Sequence, residues 1–371
     1  MRNLTLLALW VPPALAVVAF LAFALPCRIR LRWKFAWLAA LVVCSLRLRI
    51  FRWISGGVAV PDWPLFVIAV FDWAYCGGIV LVPLSLVWWG RKWRHVVLPA
   101  IAWGIAAVGV WNAYRTPCVK EVTLEYPDLP PSLDGYRIVQ LADIHVNAAA
   151  PRGRTEKIVA IANSLSPDLV CLTGDNADGS PAARSRDLEP IRFLRAKDGV
   201  WGVSGNHEYQ RRRAIWRPVY KKWGIRLLEN ECVFPRKGLA LGGVNDDAAA
   251  RCRAISKSNP YYDSGPAPSV AAAFAAATNG EFRILMQHQP RHARDNVSGY
   301  GVKLQLSGHT HGGLAPLVSI GVMRRSRGFL RGEYDLGPGK LYVSAGLGQW
   351  QALPMRLLDP TEVTLIVLRR R

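Results

Sequence analysis

Acidic residues are nearly absent from the first third of this chain. Residues 1–120 contain 13 Lys and Arg but only two acids, Asp62 and Asp72, whereas the whole 371-residue chain has 26 Asp and Glu. This local surplus of 11 positive charges makes up about half of the formal net charge of +21, and it lies beside apolar runs. Basic residues that flank apolar segments are typical of membrane segments, so the charge does not by itself indicate nucleic-acid binding.

Cysteine is sparse and irregularly placed. The chain has seven cysteines, with no CxxC pair and no zinc-type spacing, which argues against a zinc module or a disulfide-stapled fold. We expect most of them to be small buried apolar residues. Pairing of Cys232 with Cys252 stays open, because a disulfide requires a Cα separation that a sequence does not supply.

Recognition motifs for nucleic acids and internal repeats are also missing. The chain has no basic and aromatic RNA-binding motif, so nucleic acid is not favoured as a partner. A hydrophobic content of 51% with 15 Trp excludes a disordered polycation. The length suffices for about two domains.

Four apolar stretches predict membrane-spanning helices near 3–25, 35–51, 65–89 and 96–114. Residues 3–25 carry no charge and have the roughly 20-residue length that a bilayer core requires, and no A-x-A cleavage site follows them. In 35–51 the apolar run is only 12 residues, so Arg47 and Arg49 must snorkel to the membrane surface. Eleven of the 15 Trp lie in residues 1–114, as in an interfacial aromatic belt.

The basic residues between the spans predict an orientation. With four spans, seven positive charges lie on the side of the two tight loops and six on the other, which places both termini outside. The expectation is a multi-pass protein of the cytoplasmic (inner) membrane whose second half is extracytoplasmic. If 35–51 does not span, the same rule favours a cytoplasmic second half.

The second half, residues 119–371, reads as a separate α/β domain after a transmembrane region at 1–118. Strand-like runs at 136–142, 168–173 and 199–204 alternate with helical stretches at 155–164, 187–196 and 211–223. Further apolar runs at 239–244, 282–287, 303–307, 341–345 and 362–368 give too many strands for one small sheet. We therefore predict two sheets packed as a sandwich and flanked by helices.

Polar motifs follow five of these strands: LADIH, LTGDNAD, VSGNHE, LMQHQP and LSGHTH. They contain five of the seven His of the chain. Since sites in α/β folds assemble at the carboxyl ends of strands, these side chains are expected to share one cavity. The candidate metal ligands are Asp143, His145, Asp175, Asn206, His288, His309 and His311.

The types and spacing of these residues suit metal binding. In an extended chain residues i and i+2 point to the same side, so Asp143 with His145 and His309 with His311 can each aim two donors into one cavity. The Gly before Asp175, Asn206 and His309 allow close backbone approach. Imidazole, carboxylate and amide donors without a thiol suit Mn, Fe or Zn, and seven donors are too many for one ion. The set predicts two divalent ions that share a carboxylate.

In order, the motifs DxH, GDxxD, GNHE, a lone His and GHTH resemble those of the calcineurin-like metallophosphoesterase family. The resemblance runs from about Tyr136 to the end of the chain and implies a four-layer αββα sandwich. The chain is also similar to the bacterial membrane-anchored branch of this family. The similarity lies in the several N-terminal spans, in YRIVQLADIH and GHTHGG, and in the closing YVSAGLG and PMRLLDPTEVTLIVL. That branch has Gln where this chain has Leu314, and Ser and Leu where it has Ala142 and Ile144, but no ligand position is affected.

The resemblance also implies roles for single residues. Asp143, His145 and His311 resemble ligands of a first metal; Asn206, His288 and His309 resemble ligands of a second. Asp175 resembles the bridge between them. His207 resembles the residue that protonates the leaving oxygen, and Glu208 is expected to orient it. Asp178 is left open between a partner of the site and a helix cap.

These readings predict a membrane-anchored, metal-dependent phosphoric ester hydrolase. Its substrate would be a phosphate mono- or diester, with a lipid or lipid-linked ester suggested by location alone. Two alternatives remain: a catalytically inactive binding or sensor module of the same fold, and a nuclease.

Overall fold

The computed structural model describes residues 63–87, 94–210, 213–256, 262–278, 280–350 and 353–371, together with a few isolated positions between 31 and 50. The spans expected at 3–25 and 35–51 lie outside the described residues, apart from those isolated positions. The described residues divide into two compact units. The first takes the chain up to Arg115 together with Gln349–Leu357, and the second takes Thr116–Gly348 and Leu358–Arg371.

The helices are α1 Leu65–Val87, α2 Arg94–Tyr114, α3 Arg152–Ser164, α4 Pro181–Leu188, α5 Asn206–Gln210, α6 Arg213–Lys222, α7 Ala248–Ser256, α8 Val270–Ala273, α9 Ala293–Tyr300 and α10 Pro316–Arg325. The strands are β1 Cys118–Tyr126, β2 Arg137–Leu141, β3 Leu169–Leu172, β4 Val200–Gly202, β5 Arg226–Leu227, β6 Glu231–Arg236, β7 Leu239–Gly243, β8 Phe282–Met286, β9 Val302–Ser307, β10 Gly332–Asp335, β11 Lys340–Val343 and β12 Glu362–Arg370.

The strands of the second unit form two mixed six-stranded sheets. The first has the order β1-β12-β2-β3-β4-β5, and the second has the order β10-β11-β9-β8-β7-β6. In the first sheet β2 to β5 run parallel, as do β7, β8, β9 and β11 in the second. Parallel neighbours align their carboxyl ends at one edge, which is where the polar motifs follow.

Burial on both faces explains why these strands read as continuous apolar runs. Between the sheets, Ile138 and Cys171 of the first pack in one core with Ile284 and Leu306 of the second. The outer face of the first sheet packs against α3 and α6. The outer face of the second packs against α8 and α9, through residues such as Val297. The predicted two-sheet α/β sandwich with flanking helices is confirmed.

The structure departs from the expected elements where burial is low or proline intervenes. β1 is an edge strand with several exposed residues, so its sequence shows no apolar run. The helix expected over 187–196 is instead the end of α4 followed by a 3-10 turn, Glu189–Phe193. Pro190 lacks the N–H that a continuing α-helix requires.

The first unit contains the apolar helices α1 and α2, which pack against each other. A Cβ built at Gly77 would lie 2.5 Å from the Trp103 ring, so only glycine permits this contact. Within the described residues, Val97–Tyr114 of α2 is long and apolar enough to cross a membrane, and Leu65–Leu81 of α1 is a shorter apolar stretch.

A second segment of the chain completes this unit. The backbone N–H of Arg356 donates to the Gly109 carbonyl over 2.9 Å, and Asn112 Nδ2 donates to the Arg356 carbonyl over 3.2 Å. A Cβ at Gly109 would approach both Met355 and Leu357 to 3.0 Å. Residues 353–357 therefore pack on α2, far from it in sequence.

Candidate metal centre

The polar motifs converge at the strand ends of the second unit. Asp143 and His145 follow β2, and Asp175 follows β3. The second sheet contributes His288 after β8, and His309 and His311 after β9. All of the candidate ligands are buried except His309, which is half-buried. Two sheets thus supply donors to one region.

A first cluster contains Asp143, His145 and His311, whose ligand atoms all lie within 4.8 Å of one another. The Nε2 atoms of both His145 and His311 lie 3.9 Å from Asp143 Oδ1. Atoms at these separations can surround a single cation, because metal–nitrogen and metal–oxygen bonds are close to 2 Å long.

A second cluster contains Asp175, His288 and His309. Asp175 Oδ2 lies 3.1 Å from His288 Nε2, and His309 Nδ1 lies 3.2 Å from His288 Nε2. The same Oδ2 atom is 3.9 Å from His145 Nε2 of the first cluster. The Asp175 carboxylate therefore stands between the two clusters.

Two buried atoms in this region lack the partners that buried polar atoms normally have. His145 Nε2 and Asn206 Oδ1 make no hydrogen bond. A buried polar atom without a partner is costly, and a cation beside each atom would satisfy it. The residues present therefore fit a pair of divalent ions, both in donor chemistry and in these unsatisfied atoms.

Asp178 holds two of the histidines by their Nδ1 atoms. Its Oδ1 atom lies 2.9 Å from His145 Nδ1 and 2.6 Å from His207 Nδ1. A carboxylate on Nδ1 fixes the ring and leaves Nε2 to face the site. The Thr173 carbonyl does the same for His288, at 2.8 Å from its Nδ1. Asp178, which the sequence left open, is thus a partner of the site.

Glu208 does not orient His207, and that expectation is wrong. Its carboxylate instead accepts backbone N–H groups from Gly205, Asp175 and Asn176 at 2.8–3.0 Å. Glu208 thereby ties the loop after β3 to the loop after β4. The Glu208 carboxylate is held there by these three backbone donors. Nδ1 of His207 is in contact with Asp178 instead.

His207 lies at the edge of the clusters. Its side chain is 23% exposed, and its Nε2 atom is 4.0 Å from Asp175 Oδ2. Its ligand atom also falls within 4.8 Å of those of His145 and Asp175, so geometry alone permits either a metal ligand or a proton donor.

The protonation of the buried groups reflects their close packing. Burial lowers the pKa of His145, but Asp178 outweighs this and raises it to about 9. Burial raises the pKa of Asp143. The pKa of Asp175 is held far below its usual range despite burial, because His288 lies beside it. Neighbouring carboxylates, Asp175 first, also raise the pKa of His288, so without cations His145 and His288 retain protons that metal binding must displace.

Backbone conformation at the ligands differs from the extended geometry expected for i and i+2 pairs. A positive φ occurs at Asp143 (52°), His145 (48°), Asp175 (54°), His309 (72°) and His311 (50°). Non-glycine residues seldom adopt this region, and such strain concentrates at functional sites. The chain therefore turns at these residues, whereas the sequence analysis expected an extended chain.

The glycines beside the ligands are required by close contacts. A Cβ at Gly308 would lie 2.3 Å from Asp143 Oδ2, and one at Gly205 would lie 2.2 Å from Asp175 Oδ1 and 2.6 Å from the Asp175 backbone N. The predicted close backbone approach is confirmed at these positions.

Gly205→Ala should therefore damage the site. The added methyl displaces the Asp175 carboxylate and meets backbone that cannot move freely, so we expect a loss of about 1–3 kcal/mol in unfolding free energy and lower metal content. Gly153→Ala is the matched control, because nothing lies within 4 Å of a Cβ there and Ala favours the α3 helix. Thermal unfolding measures the stability of both variants, and metal analysis measures their metal content. Equal stability and equal metal content in the two variants would contradict the prediction.

Comparison with known proteins agrees with this geometry. The family model described as calcineurin-like phosphoesterase matches residues 136–313. A Danio rerio relative called transmembrane protein with metallophosphoesterase domain is 31% identical over 75% of this chain and 64% of its own length. An uncharacterized metallophosphoesterase of Campylobacter jejuni is 31% identical over 70% of this chain and 65% of its own length. The chain thus spans somewhat less than two thirds of either relative.

Among solved structures, the chain is similar to a dimetal phosphatase from Danio rerio at 13% identity, covering 57% of this chain and 88% of that one, with a TM-score of 0.35. A similarity at this level has no bearing on activity. The motifs, the paired Asp and His clusters and the family match agree with each other. Residues 136–313, which match the model of the calcineurin-like phosphoesterase family, contain every residue of the paired Asp and His clusters.

Proposed function

We propose that this protein is a two-metal phosphoesterase that hydrolyses a phosphate mono- or diester presented at a membrane, with a lipid or lipid-linked ester as substrate. The observation that carries the two-metal part is the position of the Asp175 carboxylate, 3.1 Å from His288 of one cluster and 3.9 Å from His145 of the other. A shared carboxylate is what two neighbouring cations require.

In this proposal Asp143, His145 and His311 hold one ion, Asn206, His288 and His309 hold the other, and Asp175 bridges them. Imidazole and carboxylate donors favour Mn, Fe or Zn. When bound, two such ions lower the pKa of water and neutralise charge on phosphoryl oxygens. The chain positions the donor atoms: Asp178 holds Nδ1 of His145, and the Thr173 carbonyl holds Nδ1 of His288.

His207 is the proposed acid for the leaving oxygen. Its Nδ1 atom is held by Asp178 at 2.6 Å, so Nε2 is the atom that can exchange a proton with a bound ester. Its partial exposure lets a substrate reach it, whereas the ligands of the first cluster are buried. Asp178 acts through His207 and His145, and is a positioning residue.

The apolar helices support the membrane part of the proposal. The basic flanks of residues 1–120 and the apolar lengths of α1 and α2 favour a multi-pass anchor in the cytoplasmic membrane, with the phosphoesterase domain extracytoplasmic. A tether to the bilayer raises the effective concentration of membrane-resident substrates.

Hydrolysis of a generic aryl phosphodiester by the purified full chain tests the chemistry. Activity that depends on added Mn and disappears with a chelator is the expected result. Hydrolysis without any metal would contradict the proposal, and metal binding without turnover of aryl mono- or diesters would favour the inactive binding module instead.

A phosphate-release screen on the same preparation tests the substrate class. Lipid phosphates and nucleotide–lipid pyrophosphates in vesicles are compared with their soluble head-group analogues. We expect the vesicle-borne esters to be hydrolysed with the higher kcat/KM. If no lipid phosphate is hydrolysed while the aryl ester is, the lipid substrate is refuted and the two-metal chemistry remains.

A further inference from the structure

Helix α10, Pro316–Arg325, contains no buried residue. Three of its apolar residues are exposed: Leu317 to 69%, Ile320 to 52% and Met323 to 40%. At 100° per residue these three side chains and Arg324 fall within about 120° of the helix circumference, so they form one outward face. Val318 and Val322, one turn apart, are half-buried on the opposite side.

The charges on this helix are of one sign. Residues 314–328 contain no Asp or Glu, while Arg324 and Arg325 occupy the last turn and are exposed. Arg327 follows and pairs with Asp295 at 3.4 Å. A soluble surface rarely groups exposed Leu, Ile and Met without a function, and apolar residues beside arginines are typical of helices that lie in a membrane interface.

We propose that the outward face of α10 docks the phosphoesterase domain on an anionic lipid surface. Leu317, Ile320 and Met323 enter the boundary between head groups and acyl chains, while Arg324 binds lipid phosphates. Charge complementarity selects this occupant, because a helix with two exposed arginines and no acid attracts anionic head groups. The same chain also contains the apolar helices α1 and α2.

Docking by α10 has a direct geometric link to the candidate metal centre. The helix begins five residues after His311, and the intervening loop is held by hydrogen bonds: the Gly313 N–H donates to the Thr310 carbonyl over 2.9 Å, and Arg331 donates to the Gly312 carbonyl over 2.9 Å. A lipid surface that binds α10 therefore also fixes the orientation of the metal centre relative to that surface. The inference goes beyond the proposed hydrolysis and holds for any ester substrate.

Amide hydrogen exchange of the full chain in nanodiscs tests the proposal without using activity. Discs of phosphatidylcholine alone are compared with discs that contain 30 mol% phosphatidylglycerol, roughly the charge density of an anionic membrane. We expect the amides of residues 316–327 to exchange about tenfold more slowly in the anionic discs, because the docked helix opens less often.

Leu317→Asp combined with Ile320→Asp should abolish this difference. The matched control is Phe193→Asp combined with Phe234→Asp, since these two side chains are also exposed, at 53% and 49%, but lie outside α10. The control is expected to keep the full slowing, and metal content with thermal unfolding verifies that both double variants fold.

Three results would overturn the proposal. Equal exchange of α10 in both kinds of disc excludes an anionic surface as its occupant. Slow exchange that depends on protein concentration and not on lipid identifies a second copy of the chain as the cover. Slowing that survives in Leu317→Asp/Ile320→Asp places the lipid contact elsewhere. The test measures amide hydrogen exchange and not hydrolysis, so it can be carried out even if the protein has no phosphoesterase activity.

Discussion

Asp175→Asn is expected to abolish phosphoester hydrolysis and to lower metal content. The carboxylate stands between the two clusters, and a neutral amide cannot supply an anionic oxygen to each of two cations. Since each cation contributes several kcal/mol to transition-state stabilisation, the loss should exceed about 10³-fold in kcat. Hydrolysis of an aryl phosphodiester and metal analysis of the same preparation measure both effects.

Asp168→Asn is the matched control for this substitution. Asp168 is also buried, and its carboxylate accepts the Arg137 backbone N–H and pairs with Lys197, both at 2.9 Å. Those bonds lie at the start of β3, away from the strand ends that carry the ligands. We expect this variant to lose stability but to retain its metals. Near-normal turnover by Asp175→Asn with both metals bound would refute the bridge.

His207→Ala is expected to separate proton transfer from metal binding. Removal of a general acid slows turnover by about 10²- to 10⁴-fold, so kcat should fall by that factor while the metal stoichiometry stays unchanged. The loss should be smaller for a nitrophenyl ester than for an alkyl ester, because a stable phenolate leaves without a proton. Loss of metal in His207→Ala would instead make His207 a ligand, as its distance from Asp175 permits.

Asp178→Asn provides the comparison for the His207 variant. Asp178 holds Nδ1 of both His207 and His145, so its loss should reduce turnover and also weaken metal affinity. Removal of such a carboxylate from behind a ligand typically costs 10- to 100-fold in affinity or activity. A variant that slows turnover with unchanged metal affinity would limit the role of Asp178 to His207.

The strand ends were predictable because apolar runs and the motifs after them are both local in the sequence. Asp143 and His309 come from different sheets, yet the motif order was enough to group them. The positive φ values at these residues were not predictable, because few non-glycine residues adopt that region and no local signal marks it. Asp178 could be noticed in the sequence because it follows Asp175 by three residues in the motif GDNAD. An Asp at that position is equally typical of a helix cap, so the sequence did not decide its role.

The partner of His207 was assigned wrongly for a related reason. Glu208 is its neighbour in sequence, whereas Asp178 reaches it from another loop, 29 residues away. Sequence proximity says little about which carboxylate faces a ring after the chain turns. The packing of residues 353–357 on α2 was equally hidden, because it joins segments 244 residues apart.

That long-range packing sets an order for synthesis and assembly. Gly109 and Asn112 of α2 leave the ribosome long before Arg356, and at usual translation rates of about 5–20 residues per second the delay is roughly 10–50 s. During that interval the surface at Gly109, which Met355 and Leu357 later cover, stays open to other contacts. The first unit is therefore completed only after residues 116–348 have been translated. A nascent chain that stalls before residue 353 leaves the surface of α2 at Gly109 uncovered.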